Sequence, residues 1–291
     1  KVLNAEQYID YMTEGSILSR DFLLSNWDGA TNTSWTDVAF ETSTMQKHNV
    51  AFTNGNEQGN YYLSLSYLDN DGIVKGDADT YKRLTATVNG EYQIKPWLKV
   101  GSTNQLEKYD MRTVAEGNEY GSLLASVLLM DPLTPDVYAP NNLPMNMLAA
   151  LNNGQPLLKD GKGNYYSVSP FFTGEFGQPL IMRDNNVAKS GGFNVTGSLY
   201  GDFKPVKGLV ITSRLGYRLS GTRTSTVSLP SYNNSERINP YLGYSAGSST
   251  SIYYQWENFA NYARTFGRHS INAMIGMSFQ KSSYNYVNGS L

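Results

Sequence analysis

Asp69-Asn70-Asp71-Gly72, with Asp77 and Asp79 close behind, gathers oxygen donors of the kind that hold calcium. Their spacing misses the EF-hand arrangement and no glutamate closes the loop, so a solvated hairpin loop is the better reading. His48 and His269 are the only histidines; they lie far apart and have no cysteine to join them in a zinc site. Cysteine is absent, which excludes a disulfide framework and a thiol nucleophile. Serines and aspartates are plentiful, yet no Gly-x-Ser-x-Gly elbow leads from a strand into a helix. These patterns support neither catalysis nor a metal nor any other cofactor. Two further sets do chemistry by contact alone. Arg83, Glu91, Arg214 and Arg218 recur on the polar side of alternating segments. Tyr138, Tyr165, Tyr166, Phe171, Phe172, Tyr232, Tyr241 and Tyr244 fall in irregular segments, where rings stack on sugars, hold a peptide or pack into loop cores.

The elements that must position these residues alternate with period two. In Tyr61–Leu68 the side chains of Tyr61, Leu63, Leu65 and Tyr67 share one strand face, and Tyr62, Ser64 and Ser66 share the other. At about 3.4 Å per residue the two bracketing tyrosines stand roughly 20 Å apart, close to the separation of the aromatic girdles of a membrane barrel. The same split returns in Leu84, Ala86 and Val88 against Arg83, Thr85 and Thr87. It returns again in Phe193, Val195 and Leu199, in Leu209, Ile211 and Leu215, and most cleanly in Ile271, Ala273, Ile275, Met277 and Phe279. Gln46–Thr53 pairs with the Tyr61 strand as a hairpin, Leu98–Gln105 reads as a further strand, and Ile252–Ala263 shows no clean split, which suggests a bulge or a protein-facing contact.

Composition agrees with this pattern. The 291 residues carry a formal net charge of −2, which gives no reason to invoke nucleic acid. Charged residues make up 16%, below the usual quarter or so, while tyrosine reaches 22 and glycine 27. No apolar run is long enough for a spanning helix, which says nothing against strands, since only every second residue of a barrel strand must be apolar. Helices are expected only outside the strands: Lys1–Gly15, capped by Asn4 with Gln7 three residues on, then Tyr120–Met130 and Met145–Leu151.

Connections sort by length. Short turns near 54–60, 93–97, 204–208 and 265–269 alternate with long segments near 68–80, 108–190 and 221–251. In an up-and-down sheet this sends every long loop to one end, as in outer-membrane barrels.

The stretch HNVAFTNGNEQGNYYLSLSYLDNDGIVKGDADTYKRLTATVNGEYQIKPWLKVG, residues 48–101, resembles the early barrel region of SusC/RagA-type TonB-dependent outer-membrane transporters of Bacteroidetes. LLMDPLTPDVY at 128–138, YARTFGRHSINAMIGMSFQ at 262–280 and the opening VLNAEQYIDYM are similar to the same family, although Thr53-Asn54-Gly55 stands where the family tends to carry Ser-Gly-Gly. The resemblance implies an all-β fold, an antiparallel up-and-down transmembrane β-barrel segment of about eight strands from a 22-stranded barrel, with long external loops carrying short helices. It divides 1–291 into external loops at 1–45, 108–190 and 221–251, strands and hairpins at 46–107, and further hairpins at 191–220 and 252–281. The plug domain is not visible, and we expect an internal fragment. The implied function is TonB-dependent import of an oligosaccharide or peptide with a SusD-like lipoprotein, in the bacterial outer membrane. Arg83, Glu91, Arg214 and Arg218 would then face the lumen, and the loop aromatics would meet the substrate. The competing expectation is a small self-closed barrel that serves as adhesin or passive pore, for which eight strands suffice.

Overall fold

The computed structural model describes residues 2–114, 116, 121–171, 174 and 176–291. In chain order the elements are α1 (Ala5–Glu14), α2 (Arg20–Ser25), α3 (Trp35–Ala39), β1 (Met45–Asn56), β2 (Gly59–Asp71), β3 (Thr80–Lys95) and β4 (Leu98–Thr113). Next come α4 (Leu123–Leu129), β5 (Val137–Tyr138), α5 (Met145–Asn152), β6 (Tyr165–Tyr166) and α6 (Pro179–Asp184). The chain continues with β7 (Asn186–Phe203), β8 (Leu209–Ser228), β9 (Ser231–Tyr232), β10 (Ile238–Asn239), β11 (Gly243–Phe266) and β12 (His269–Ser290). Eight of the strands form one antiparallel sheet in the order β1-β2-β3-β4-β7-β8-β11-β12, each beside its sequence neighbour. Among the described residues, no helix is long and apolar enough to cross a membrane.

Register makes the sheet two-faced. One rung runs Val50, Leu65, Ala86, Leu106, Val195, Leu219 and Ile252 across seven strands before it meets Ser283. A rung on the other face runs Thr53, Tyr62, Asn89, Thr103, Ser198, Gly216, Gln255 and Gln280. Pairing therefore aligns the alternation of single strands into whole surfaces, which a one-residue slip would scramble.

Local chemistry sets the turns. The Asn56 side chain accepts from the amides of Gln58 and Gly59, so the first hairpin turns on Glu57 and Gln58. This is tighter than the expected 54–60 turn, and Thr53-Asn54-Gly55 lies inside β1. Gly267 adopts φ 59° in the last turn, a conformation that costs glycine least. The short connections all leave one end of the sheet; the segments 2–44, 72–79, 229–242 and the described residues between β4 and β7 all lie at the other.

The strands outrun their expected limits. The segment taken as a loop at 221–251 narrows to 229–242, because the Ser- and Thr-rich ends of β8 and β11 continue the ladder from Gly243 opposite Ser228. Likewise 108–190 narrows to 114–185, with Arg112 opposite Lys189. Threonine suits a pleated surface and ladder bonds need no apolar side chain, so polarity alone hid these strand ends. β11 pairs through its length without the expected bulge; the register shift falls instead in β3, between Gln93 and Lys95. The first helix follows the expected capping box of Asn4 and Gln7, and α5 matches its expected span to within one residue. Tyr120, the expected start of α4, lies outside the described residues. β1 and β12 each pair on one side only, so the ladder that a self-closed eight-stranded barrel needs is absent among the described residues.

Among the described residues, every buried apolar side chain lies outside the eight-stranded sheet. Trp35, Ala39, Val74, Val114, Leu123, Val127 and Met130 form one cluster, and Ala5, Ile9, Leu23, Leu133 and Phe171 form a second. These cores weld the long connections into a layer at one end of the sheet.

Candidate functional site

Register places Arg83, Glu91, Arg214 and Arg218 on the same polar face of the sheet. Glu91 is the hub of one cluster. Lys99 Nζ lies 2.6 Å from Glu91 Oε2, the Tyr200 hydroxyl donates to the same oxygen at 3.0 Å, and Asn60 Nδ2 donates to Oε1 at 3.0 Å. Tyr200 reaches Glu91 across Gly101, whose missing side chain leaves room for the ring. The Arg214 guanidinium stands 5.8 Å from the Tyr200 ring centre and 5.9 Å from that of Phe259, within cation–π range. Nearer the long loops, Arg83 lies 3.6 Å from Glu107, which also accepts from Asn194 Nδ2 at 2.9 Å. Among the described residues Arg214 and Arg218 form no ion pair, and both are exposed.

Sequence reasoning missed Lys99, Tyr200, Glu107 and Asn60. Each sits on a strand with unremarkable local composition; only cross-strand register brings it to the named charges.

The loop aromatics divide sharply. Tyr166 and Phe171 are buried, the first beside Leu180 and Ile181 with its hydroxyl bonded to Asp184, the second edge-on to Phe22 at 6.1 Å. Neither presents a free ring face. Tyr138 and Tyr165 pair with each other in the β5–β6 ribbon, and Lys159 Nζ stands 4.4 Å above the Tyr165 ring. Burial, followed by the charges of Asp28 and Asp131, pushes the Tyr138 phenol up to about 12. Tyr232 is half-buried in the β9–β10 ribbon. Tyr244 belongs to β11 and not to a loop, on the same face as Val187 and Val227, whereas Tyr241 is 78% exposed. Phe172 lies outside the described residues.

The loop layer is tied together by polar groups as well. Asp131 is fully buried; its carboxylate accepts from the Leu133 amide and the Ser169 hydroxyl, and its carbonyl accepts from Trp35 Nε1 at 2.6 Å. Burial raises the Asp131 carboxyl above the usual carboxylate range. The acidic run at 69–79 does not converge: Asp69 pairs with Lys82 at 3.1 Å, while Asp79 accepts from the Val74 amide. Among the described residues, no group of three His, Cys, Asp or Glu side chains is placed to hold a metal.

No protein-family model matches the chain. Known proteins do. The TonB-dependent receptor P39 of Formosa agariphila is 26% identical over 254 residues, which cover 86% of this chain and 21% of that protein. The TonB-dependent receptor SusC of Bacteroides thetaiotaomicron is 34% identical over 90 residues, 30% of this chain and 8% of SusC. The solved structure of the RagAB peptide transporter superposes on 99% of this chain with a TM-score of 0.73 at 16% identity. The chain is thus similar in sequence to TonB-dependent receptors, SusC among them, and shares its fold with the RagAB peptide transporter. It spans 21–26% of the P-numbered receptors that it matches over most of its length, and 33% of the superposed RagAB chain. The eight-stranded antiparallel sheet matches the barrel fold of those receptors, with β1 and β12 at its edges.

Proposed function

We propose that the chain supplies the wall and loop layer of an outer-membrane importer that takes up a nutrient, an oligosaccharide or a peptide, under TonB control and together with a SusD-like lipoprotein. The observation that carries this reading is the two-faced open sheet, with its exposed apolar rungs, its polar opposite face and its connections sorted by length. The continuous apolar rung from Val50 to Ile252, with the exposed leucines, valines and isoleucines around it, meets lipid; hydroxyls, amides and charges line a lumen. The short turns then mark the periplasmic rim, and the segments 2–44, 72–79, 114–185 and 229–242 the external one. The Glu91 cluster stiffens the lumen wall, while Arg214 and Arg218 are available to a plug or to an anionic group of a passing substrate. Tyr241, with the partly open rings of Tyr138, Tyr165 and Tyr232, offers stacking surface in the loop layer. Transport of this kind makes and breaks no covalent bond in the substrate; the work comes from the inner-membrane proton gradient through TonB.

Deleting the parent gene and scoring growth on single glycans and peptides tests the reading. Uptake of one substrate class should disappear both in that strain and in a strain without TonB. Uptake that survives the loss of TonB overturns it.

A further inference from the structure

On the polar face, the parts of β7, β8, β11 and β12 nearest the long loops differ from the rest of the wall. One rung there runs Gly192, Thr222, Ser249 and Tyr286, and the next runs Asn194, Ser220, Ser251 and Tyr284. Neither rung carries a charge, whereas Lys189 and Arg223 of the same strand ends stand on the opposite face. Charge resumes only at the margins, with Arg218 one rung below Ser220 and Arg83 paired to Glu107 at 3.6 Å on the β3–β4 side. Among the described residues the Ser220, Ser249 and Ser251 hydroxyls make no hydrogen bond, and none of the three side chains is buried. Tyrosines bound this panel on both sides. Tyr109 continues the first rung from β4; its ring stacks with Tyr81 at 6.3 Å, and across the bare backbone of Gly192 its hydroxyl meets that of Thr222 at 3.2 Å. On the far side Tyr284 and Tyr286 are 66% and 58% exposed. The panel is also the sheltered side of β11: Ser249, Ser251 and Tyr253 are half-buried, while Ser248, Thr250 and Ile252 are exposed.

We infer that this panel binds a neutral oligosaccharide, and so decides for sugar over peptide within the importer reading, on which the inference rests for its lumen-facing assignment. A serine or threonine hydroxyl both donates and accepts, as every sugar hydroxyl does, so the panel matches a polyol without needing one fixed orientation. Neighbouring strands stand about 4.8 Å apart, close to the length of one sugar unit, so a chain laid across a rung meets a fresh polar group at each unit. The open faces of Tyr284 and Tyr286 take the C–H face of a sugar ring. A peptide brings charged termini, for which the two rungs hold no counter-charge, and backbone groups whose natural partner is a strand edge and not the face of a sheet.

The test uses the full-length parent receptor, purified from outer membranes in neutral detergent and titrated calorimetrically with hexasaccharides of α-glucan, β-glucan, fructan, mannan and xylan, and with a mixed pool of octapeptides. At least one hexasaccharide should bind and the peptide pool should not. Against that hexasaccharide, S220A/S249A/S251A and Y284A/Y286A should each bind about tenfold more weakly, the loss expected when two or three hydrogen bonds or stacking faces are removed. S248A/T250A alters the same strand on its opposite face and should bind as wild type. Outer-membrane levels report folding of each variant, and the serine variant, which keeps every backbone ladder bond, decides alone if the tyrosine variant does not assemble. Binding of none of the five sugars overturns the proposal, as does binding of the peptides, undiminished binding by a folded panel variant, or an equal loss in S248A/T250A. The importer reading fails separately: uptake of the bound sugar that persists without TonB overturns it and leaves the panel standing, whereas TonB-dependent uptake of peptides alone overturns the panel and leaves the importer.

Discussion

The eight-stranded sheet and the loop layer above it are stabilised by opposite means. The sheet holds its backbone in continuous ladders and buries almost nothing, Thr212 being its one buried side chain among the described residues. The loop layer has short helices and two-residue ribbons, yet among the described residues it owns every buried apolar one, from Ala5 to Met182. A water-soluble sheet with this many bare leucines and isoleucines would aggregate along its face. On the proposed reading the wall takes its apolar surroundings from lipid, whereas the loop layer carries its own core. Substitutions should therefore hurt the two regions by different physics.

The largest effect belongs to the loop core. Trp35 is 1% exposed, packs against Ala39, Val74, Leu123 and Val127, and donates its indole hydrogen to the Asp131 carbonyl. Trp35→Ala should cost about 3–5 kcal/mol of loop-layer stability, through the cavity and the orphaned carbonyl. Limited proteolysis should then cut within 2–44 and 121–171 while the strands stay protected. Uniform cleavage of wall and loops would show that the two regions are one cooperative unit.

The wall should answer to the face and not to burial. Leu65 is 54% exposed, a value that in water would make it tolerant, but it belongs to the continuous apolar rung, flanked by Val50 and Ala86. Leu65→Arg should cost about 2–4 kcal/mol in denaturant unfolding from lipid vesicles. Thr87→Arg, on the polar rung with Arg218, should stay within about 0.5 kcal/mol. Equal costs at the two sites would break the assignment of lipid and lumen faces.

These contrasts also explain what could be read from the chain beforehand. Alternation is local, so Leu63, Leu65, Ala86 and Ile275 announce their strands and faces without any partner. Cross-strand register is not local, so the meeting of Glu91 with Lys99 and Tyr200 has no counterpart in the sequence. In the loop layer the capping box at Asn4 and Gln7 is written within four residues, and α1 follows it. By contrast α2, α3 and α6 are five or six residues long, too short for helical periodicity to show, and are held by tertiary packing. The same packing takes Tyr166 and Phe171 out of reach of a ligand, since a tyrosine in a core and one at a binding surface look alike in a sequence.

A smaller effect should arise where the wall itself packs tightly. A side chain at Gly101 would meet the Tyr200 ring at 2.3 Å and push its hydroxyl away from Glu91. Gly101→Val should cost about 1–3 kcal/mol, and the cost should shrink when Tyr200→Ala is added, because the clash then has no partner. Additive costs in that double-mutant cycle would separate the glycine from the Glu91 cluster.

The smallest effect concerns pH and returns to the loop layer. Burial raises the Asp131 carboxyl above its ordinary range, and the same surroundings, with the Asp131 charge, also push up the Tyr8 phenol. An acid whose folded-state pKa exceeds its unfolded value gives its full stabilisation below the unfolded value and loses it as pH rises through the folded one. The loop layer should accordingly be tighter at mildly acidic pH than at neutral pH, opposite to the usual trend for salt-bridged carboxylates. Asp131→Asn keeps an acceptor for the Leu133 amide and has no charge to bury, so it should abolish the pH difference and protect the layer at neutral pH. Hydrogen exchange over residues 121–171, corrected for intrinsic rates, reads this directly at pH 5 and pH 7.5. Equal protection of the wild-type layer at both values would mean that Asp131 does not change protonation there, and would leave the apolar clusters as the sole difference between loop layer and wall.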